Sequence, residues 1–408
     1  MPRSPIAEQD YDPYAFRFPH SLTWHGSVIP RVLPSTILCL VVAVIVTCVD
    51  KFTDVNITIP QMLITVIGFV VALLLTYRTN TAYDRYWEGR RLWSNLTVAV
   101  RNTARTIWIS IREENATIIL EKKTALNLLA GFAVATKHYL REEDGCEFDD
   151  LKPLISNIRS TLPGFEPLED QDKVSELVRL GAGPNTLNKL FKRNRKPHER
   201  KKGELAPLNH NLPLEILLYL ASYFAAQSNA NRISAPTATA LGNGLAQLTD
   251  CLTHFERILR SPIPVAYAIH LSQTVWIYCL SLPFQFVAIL GWATIPLVFI
   301  ASFVLLGIER IGAEIENPFG YDENDLDLDD FCNLIVRELD TITSNPPPSV
   351  DDWVFAPENH PFGPQNVTAE EARKLSVEDV RVLLDTSAQE KRNSSEIVNS
   401  SEIKIETK

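Results

Sequence analysis

The chain has 408 residues, 46% of them hydrophobic, with a formal net charge of -10 and a mean hydropathy of -0.01. The acidic balance argues against a general nucleic-acid binder, and six cysteines without paired spacing exclude a disulfide framework or a thiolate zinc site. The near-zero average hides three runs without Asp, Glu, Lys or Arg: residues 32–49, 55–77 and 261–308, of 18, 23 and 48 residues. A membrane-spanning helix needs roughly 20 mostly apolar residues. The first two runs therefore fit one crossing each, and the third fits two.

In chain order, residues 1–31 read as a cytosolic N-terminal arm. It is polar and contains prolines, and no small-residue cleavage site follows the first apolar run, so that run is not a secretory signal. Four spans are expected near 32–50, 59–77, 264–283 and 290–308, with Pro34 in the first turn of span one. The short loop 50–58 carries only Lys51 as a basic residue. Arg17, Arg31, Arg78, Arg85, Arg90, Arg91, Arg257, Arg260 and Arg310 fall on the opposite side, which places both termini in the cytosol. Residues 32–93 form the first transmembrane segment with its charged cytosolic end, and 94–262 a helical cytosolic domain. Residues 263–310 hold spans three and four, 311–345 an acidic turn and a helix, and 346–408 a largely disordered tail.

Within the cytosolic domain, 120–140 and 212–227 carry apolar residues at helical spacing and are expected to pack on each other or on neighbouring subunits. The basic stretch "KLFKRNRKPHERKKGE" (189–204) reads as a solvated loop, with an anionic leaflet or an anion vestibule as its alternative partner. In the tail, Thr368 and Glu371 match a capping box that opens a short amphipathic helix over 368–385. Sequons at Asn56, Asn115, Asn366, Asn393 and Asn399 are not expected to be glycosylated: four face the cytosol and Asn56 hugs the membrane.

No catalytic constellation is present. The eight histidines are scattered without metal-ligand spacing, and neither a Walker loop nor a G-x-S-x-G elbow occurs, so the chain does not read as an enzyme. Span two is more informative. Phe69, Leu73 and Tyr77 recur every four residues and form one stripe on the helix. Two readings of it stand: packing on a neighbouring helix, or, with several copies around an axis, stacked apolar rings that gate ions by dewetting. In the charged block after Tyr77, Arg78, Arg85 and Arg91 are expected to snorkel and to pair with Asp84 and Glu88; they either leave positive potential near a pore mouth or serve only as a positive-inside anchor.

After span four, "AEIENPFGYDENDLDLDDFCNLI" (313–335) surrounds a turn with carboxylates at Asp322, Glu323, Asp325, Asp327, Asp329 and Asp330. Calcium takes six to eight oxygen ligands, so a dense acidic turn is a candidate site, with a solvated acidic loop as the other reading. It is not an EF-hand, since Asp330 stands where the loop glycine belongs and Val336 where the bidentate glutamate belongs.

Taken together, "GSVIPRVLP" (26–34), "YRTNTAYDRYWEGRRLW" (77–93), "SPIPVAYAIH" (261–270) with "LPF" (282–284), and "IENPFGYDENDLDLDDF" (315–331) resemble the bestrophin family of ion channels, especially its bacterial-type branch. The matches are ordered along residues 24 to about 340 and leave the tail outside. The resemblance implies an all-α membrane protein: a homopentamer with one central pore, four transmembrane helices per subunit and a large helical cytosolic domain. Family members mostly conduct chloride and other small anions, and one bacterial relative passes cations. The positions matching the family's pore neck are Phe69, Leu73 and Tyr77. Asn317, Asp322 and Asp325 fall on calcium-clasp positions of the animal members, with Glu314 and Asn317 contributing backbone carbonyls. The pattern departs at "DLDLDDF", where the animal proteins have an unbroken acidic run.

The expected function is thus passive conduction of chloride and other small anions through a homopentamer in a lipid bilayer, with calcium as a candidate regulator. The alternatives are a cation-permeable channel of the same architecture and a membrane scaffold that regulates another transporter.

Overall fold

The computed structural model describes residues 26–53, 57, 59–143, 145–158, 211–363 and 367–389. The arm before Gly26, the basic stretch 189–204 and the sequons at Asn56, Asn366, Asn393 and Asn399 lie outside the described residues. The chain divides into two compact units, Met1–Leu339 and Asp340–Lys408. All regular structure among the described residues is helical.

Helix α1 spans Ile29–Phe52. It begins a few residues before the expected start, because Pro30 fits a first turn whose N–H groups are unbonded anyway; Pro34 therefore lies inside the helix. Helix α2 runs unbroken over Gln61–Ser110, 50 residues, or about 75 Å at 1.5 Å per residue. Only its first half is apolar, and the charged block that closes the expected span at residue 77 does not end it. Hydroxyls of Thr76, Thr79, Thr81, Thr97 and Thr106 donate to carbonyls four residues back, so each stays satisfied without leaving the helix surface.

Helix α3 is Ala116–Leu140, capped by the side chain of sequon residue Asn115, which accepts from the Ile118 N–H. Short α4 (Lys152–Ile155) follows, then α5 (Leu212–Asn229) and α6 (Ala235–Arg260). As expected, the 120–140 and 212–227 segments pack on each other, as α3 against α5, while α6 lies along α2. That last approach is close: a Cβ on Gly244 would stand 2.3 Å from Thr103 Oγ1. Lys122, wholly buried on α3, donates to the Trp108 carbonyl at 2.9 Å and to Glu113 at 2.7 Å, tying α3 to the end of α2.

The apolar stretch Val265–Glu314 is broken at Gly291, whose φ of 53 lies in the left-handed region that suits glycine. It therefore gives α7 (Val265–Leu290), a 3-10 turn Gly291–Ala293 and α8 (Thr294–Glu314), with α7 and α8 packed on each other. Val32, Cys39, Ala43, Ile64, Val71, Leu75, Leu271, Val275, Cys279, Leu282, Val298 and Leu306 form the core of α1, α2, α7 and α8. Three of its buried hydroxyls are satisfied inside their own helices, as a bilayer favours: Thr36, Thr47 and Ser302 each donate to the carbonyl four residues back.

Three apolar helical stretches, Ile29–Phe52, Ile64–Ser110 and Val265–Glu314, are long and apolar enough to cross a membrane. Their most apolar windows are only 33%, 22% and 22% buried within the chain. Apolar surface on that scale faces lipid or another protein rather than water.

Helix α9 (Leu328–Thr343) follows the acidic turn. Beyond it, in the second unit, are α10 (Val350–Val354) and α11 (Ala369–Ala372). The Thr368–Glu371 capping box forms, but the single helix expected over 368–385 is two. Ser376 caps a new one over 377–389 by accepting from the Asp379 N–H at 3.2 Å and donating to the Asp379 carboxylate at 2.7 Å.

Candidate functional site

The stripe on α2 stands clear of its own chain. Phe69, Leu73 and Tyr77 are 68%, 56% and 62% exposed, whereas Val71 and Leu75 on the reverse face are 1% and 4% exposed. Among the described residues no helix of the chain covers the stripe; the Tyr77 ring meets Tyr267 edge-on at 5.5 Å. The reverse face is held close to α7, where a Cβ on Gly68 would stand 2.8 Å from Tyr278 Oη. Packing within one subunit is therefore not what Phe69 and Leu73 do.

Directly below the stripe lies a charged junction wired differently from the expectation. Arg78 is 5% exposed and faces Glu309 at 3.8 Å and Glu316 at 3.7 Å, not Asp84 or Glu88. Arg85 donates from Nε to the Glu316 carbonyl at 3.0 Å, from Nη2 to the Ile258 carbonyl at 2.6 Å, and from Nη1 to the Ser261 carbonyl. The last carbonyls of α6 lack helical partners, and this guanidinium supplies their donors. Glu316 accepts from the Ile263 N–H at 3.1 Å, so one arginine–glutamate layer joins α2, the α6–α7 corner and the end of α8. Glu88 pairs instead with Arg257 of α6, and Arg90 lies over the Phe331 ring at 4.6 Å. The long guanidinium arms reach off α2: Arg78 meets the carboxylates of Glu309 and Glu316, and Arg85 meets backbone carbonyls at the α6–α7 corner, rather than carboxylates on their own helix.

The acidic turn is organised around an internal cation. Arg31, in the first turn of α1, pairs with Glu314 at the end of α8 and with Asp322 at 2.8 Å. Asn324 donates to Glu314 at 3.1 Å and to the Gly26 carbonyl at 3.2 Å. Asp325 turns inward, one oxygen accepting from the Asp322 N–H at 2.7 Å and the other buried without a partner. Burial, with the nearby charges of Asp322 and Glu314, pushes its pKa up to about 6. The Asn317 side chain is used locally, accepting from the Phe319 N–H at 3.5 Å.

Arg31, Glu314, Asp322 and Asn324 line a cavity of about 330 Å³ with Gly26, Pro30 and Tyr321. The structure thus brings Glu314, Asp322 and Asp325 together but gives two of them to a guanidinium. Among the described residues, no group of three or more His, Cys, Asp or Glu side chains is placed to hold a metal ion. In this arrangement the Glu314 and Asp322 carboxylates are held by Arg31.

Comparison with known proteins adds a second line of observation. The family model described as Bacterial/Fungal Bestrophin protein matches residues 13–341. A voltage-dependent anion channel-forming protein of Synechocystis sp. is 38% identical over 328 residues, covering 80% of this chain and 91% of that one. A similarly described protein of Nostoc sp. is 38% identical over 322 residues, covering 79% and 90%. A crystal structure of a bacterial bestrophin homolog from Klebsiella pneumoniae aligns with a TM-score of 0.57 at 23% identity, covering 77% of this chain and 100% of that one. That alignment carries the fold alone.

Proposed function

Because the chain belongs to the bacterial and fungal bestrophin family, a family of channel-forming membrane proteins rather than enzymes, we propose that it is an anion channel. It is a multi-pass integral membrane protein, and the long α2 stripe is the part of it that conducts. In this reading five copies surround one axis, each with four spans and both termini in the cytosol, and Phe69, Leu73 and Tyr77 line the neck.

The observation that carries the reading is the uncovered stripe. Two bulky apolar side chains more than half exposed, with a tightly packed reverse face, need either lipid or other copies of α2 in front of them. The relatives' description as anion channel-forming favours other copies. Rings of Phe69 and Leu73 around a narrow bore would expel water, so hydrated ions meet a barrier that vanishes when the ring widens. Chloride sheds water at less cost than a small hard cation, and an apolar neck without fixed negative charge adds no penalty against it.

The junction below gives this neck a fixed base. Arg78 and Arg85 hold the cytosolic half of α2 to α6 and α8 through buried ion pairs and carbonyl contacts, so α2 moves with those helices as a lever. With both guanidinium groups engaged, surplus positive potential at the mouth comes from arginines left at the surface, such as Arg91, rather than from Arg78 and Arg85. The acidic turn takes its cation from Arg31 of α1, and no calcium step enters the mechanism. Chloride efflux from liposomes holding purified protein tests the proposal. Efflux that scales with protein and persists with bromide or nitrate supports it; liposomes that stay tight overturn it.

A further inference from the structure

His138 sits in the last turn of α3, 7% exposed, with a carboxylate at each ring nitrogen. Nδ1 meets Glu143 and Nε2 meets Asp150 at 3.0 Å, while the Phe148 ring stacks on the imidazole at 3.8 Å with a 10° tilt. A neutral imidazole has one N–H and one lone pair, so one of two carboxylates must then face a lone pair. Only the imidazolium, with two donors, satisfies both. It thereby ties Glu143 to Asp150, which flank buried Cys146 in the chain after α3.

The other charged groups around it come from three elements. On α3, Lys137 shares Asp150 and also donates to Asp329 of α9 at 2.6 Å. Arg141 donates to Asp329 at 2.9 Å and lies over the Tyr321 ring at 4.1 Å. Tyr321, in the acidic turn, donates its hydroxyl to Glu143. The loop is thus fastened to α9 by fixed charges, and to the Tyr321 turn through the carboxylate that His138 holds.

The geometry points to His138 as a proton-operated latch that holds Glu143 and Asp150 together at the end of α3. Protonated, it holds both carboxylates. Deprotonated, it keeps one, and the loop opens at the other. Burial opposes the charged ring, but hydrogen bonds to Asp150 and Glu143 outweigh it and hold the His138 pKa above its ordinary value. The latch is therefore fully closed below about 6.5, the ordinary histidine value, and releases as pH rises through the raised one. It does not rest on the channel reading, because it concerns the helical body rather than the neck.

Cys146 reports the latch and Cys251 of α6 provides the internal reference. Burial pushes both thiols up to about 11, so their thiolate fractions change together with pH and the ratio of their labelling rates does not. The measurement is peptide-resolved N-ethylmaleimide labelling of the full chain in detergent between pH 5.5 and 8.5. In the wild type the Cys146 to Cys251 ratio rises several-fold in a single step as pH increases. In His138→Gln, which cannot donate to both carboxylates, the ratio is high throughout. In Glu143→Gln the new amide donates to the neutral ring's lone pair, so the latch stays closed and the ratio stays low. If His138→Gln does not fold, Glu143→Gln still decides. A flat wild-type ratio, or a step that survives in either variant, overturns the latch.

Discussion

Arg31 and Glu314 lie 283 positions apart in the chain, yet the guanidinium of one closes on the carboxylate of the other where the first and last apolar helices meet. Asp322 shares the same guanidinium, so a cation supplied by the protein itself sits among the carboxylates of the acidic turn. Replacing Arg31 with Gln removes the guanidinium from buried Glu314, which keeps the Asn324 amide at 3.1 Å and Arg310 at 3.8 Å. Half of the pair is exposed to solvent, which screens it, so the expected loss is about 1–2 kcal/mol rather than that of a fully buried pair. Thermal unfolding of the detergent-solubilised protein would show it as a lowered midpoint. The same pairing predicts no heat in a calcium titration of the wild type at millimolar ion; a saturable exotherm or endotherm would contradict it.

Arg85 donates to three carbonyls at one corner, a task its planar fork suits and a point charge does not. Arg85→Lys keeps the charge but leaves at least one of those carbonyls unsatisfied. Hydrogen bonds to charged donors contribute about 1.5–3 kcal/mol each, so the expected cost is of that order. Assembled protein recovered by size exclusion should fall, and a wild-type yield and midpoint would remove Arg85 from this role.

The contact between α2 and α6 gives a cleaner test of packing. Gly244→Ala places a methyl group 2.3 Å from Thr103 Oγ1, and overpacking of this kind typically costs about 1–3 kcal/mol. That hydroxyl is buried and has no partner, so removing it is cheap. Thr103→Ala should therefore rescue most of the Gly244→Ala defect, and a double-mutant cycle should give a coupling well above additivity error. Purely additive losses would refute the close approach.

At low pH the helical body should loosen. Hydrogen bonds from His138 and Lys137 outweigh burial and hold Asp150 far below the usual carboxylate range; those from His138 and Tyr321 outweigh burial at Glu143 and lower it too. A depressed folded pKa contributes stability above the unfolded values of about 3.9 and 4.3 and loses it as pH falls through the folded ones. Unfolding midpoints should thus drop below about pH 4, less steeply in Asp150→Asn. An acid limb identical in both proteins would count against the network.

The apolar spans were legible because uncharged runs of 18 to 48 residues have few other uses in a folded chain. So were the stripe at Phe69, Leu73 and Tyr77 and the pairing of α3 with α5, both set by helical period. The unbroken reach of α2 to Ser110 was hidden, since a charge block looks like a membrane boundary whether or not the helix stops there. Periodicity also could not say whether the chain's own helices cover Phe69; its exposure shows that, among the described residues, they do not. The partners of Arg31, Arg78 and His138 come from distant segments or from a loop whose shape is not written in local pattern. His138 in particular offered no spacing signal, because its two carboxylates lie 5 and 12 residues away on an irregular turn.

The central claim is that the α2 stripe is an anion-selective neck, and reversal potentials in planar bilayers under a chloride gradient test it most directly. Wild-type protein should reverse near the chloride equilibrium potential. Phe69→Ala, Leu73→Ala protein that elutes as the wild type does should carry larger basal current, and its reversal potential should shift toward zero as discrimination falls. Truncating side chains that merely faced lipid would leave conductance and reversal potential unchanged. That result, or a wild-type reversal near the cation equilibrium potential, would contradict the account.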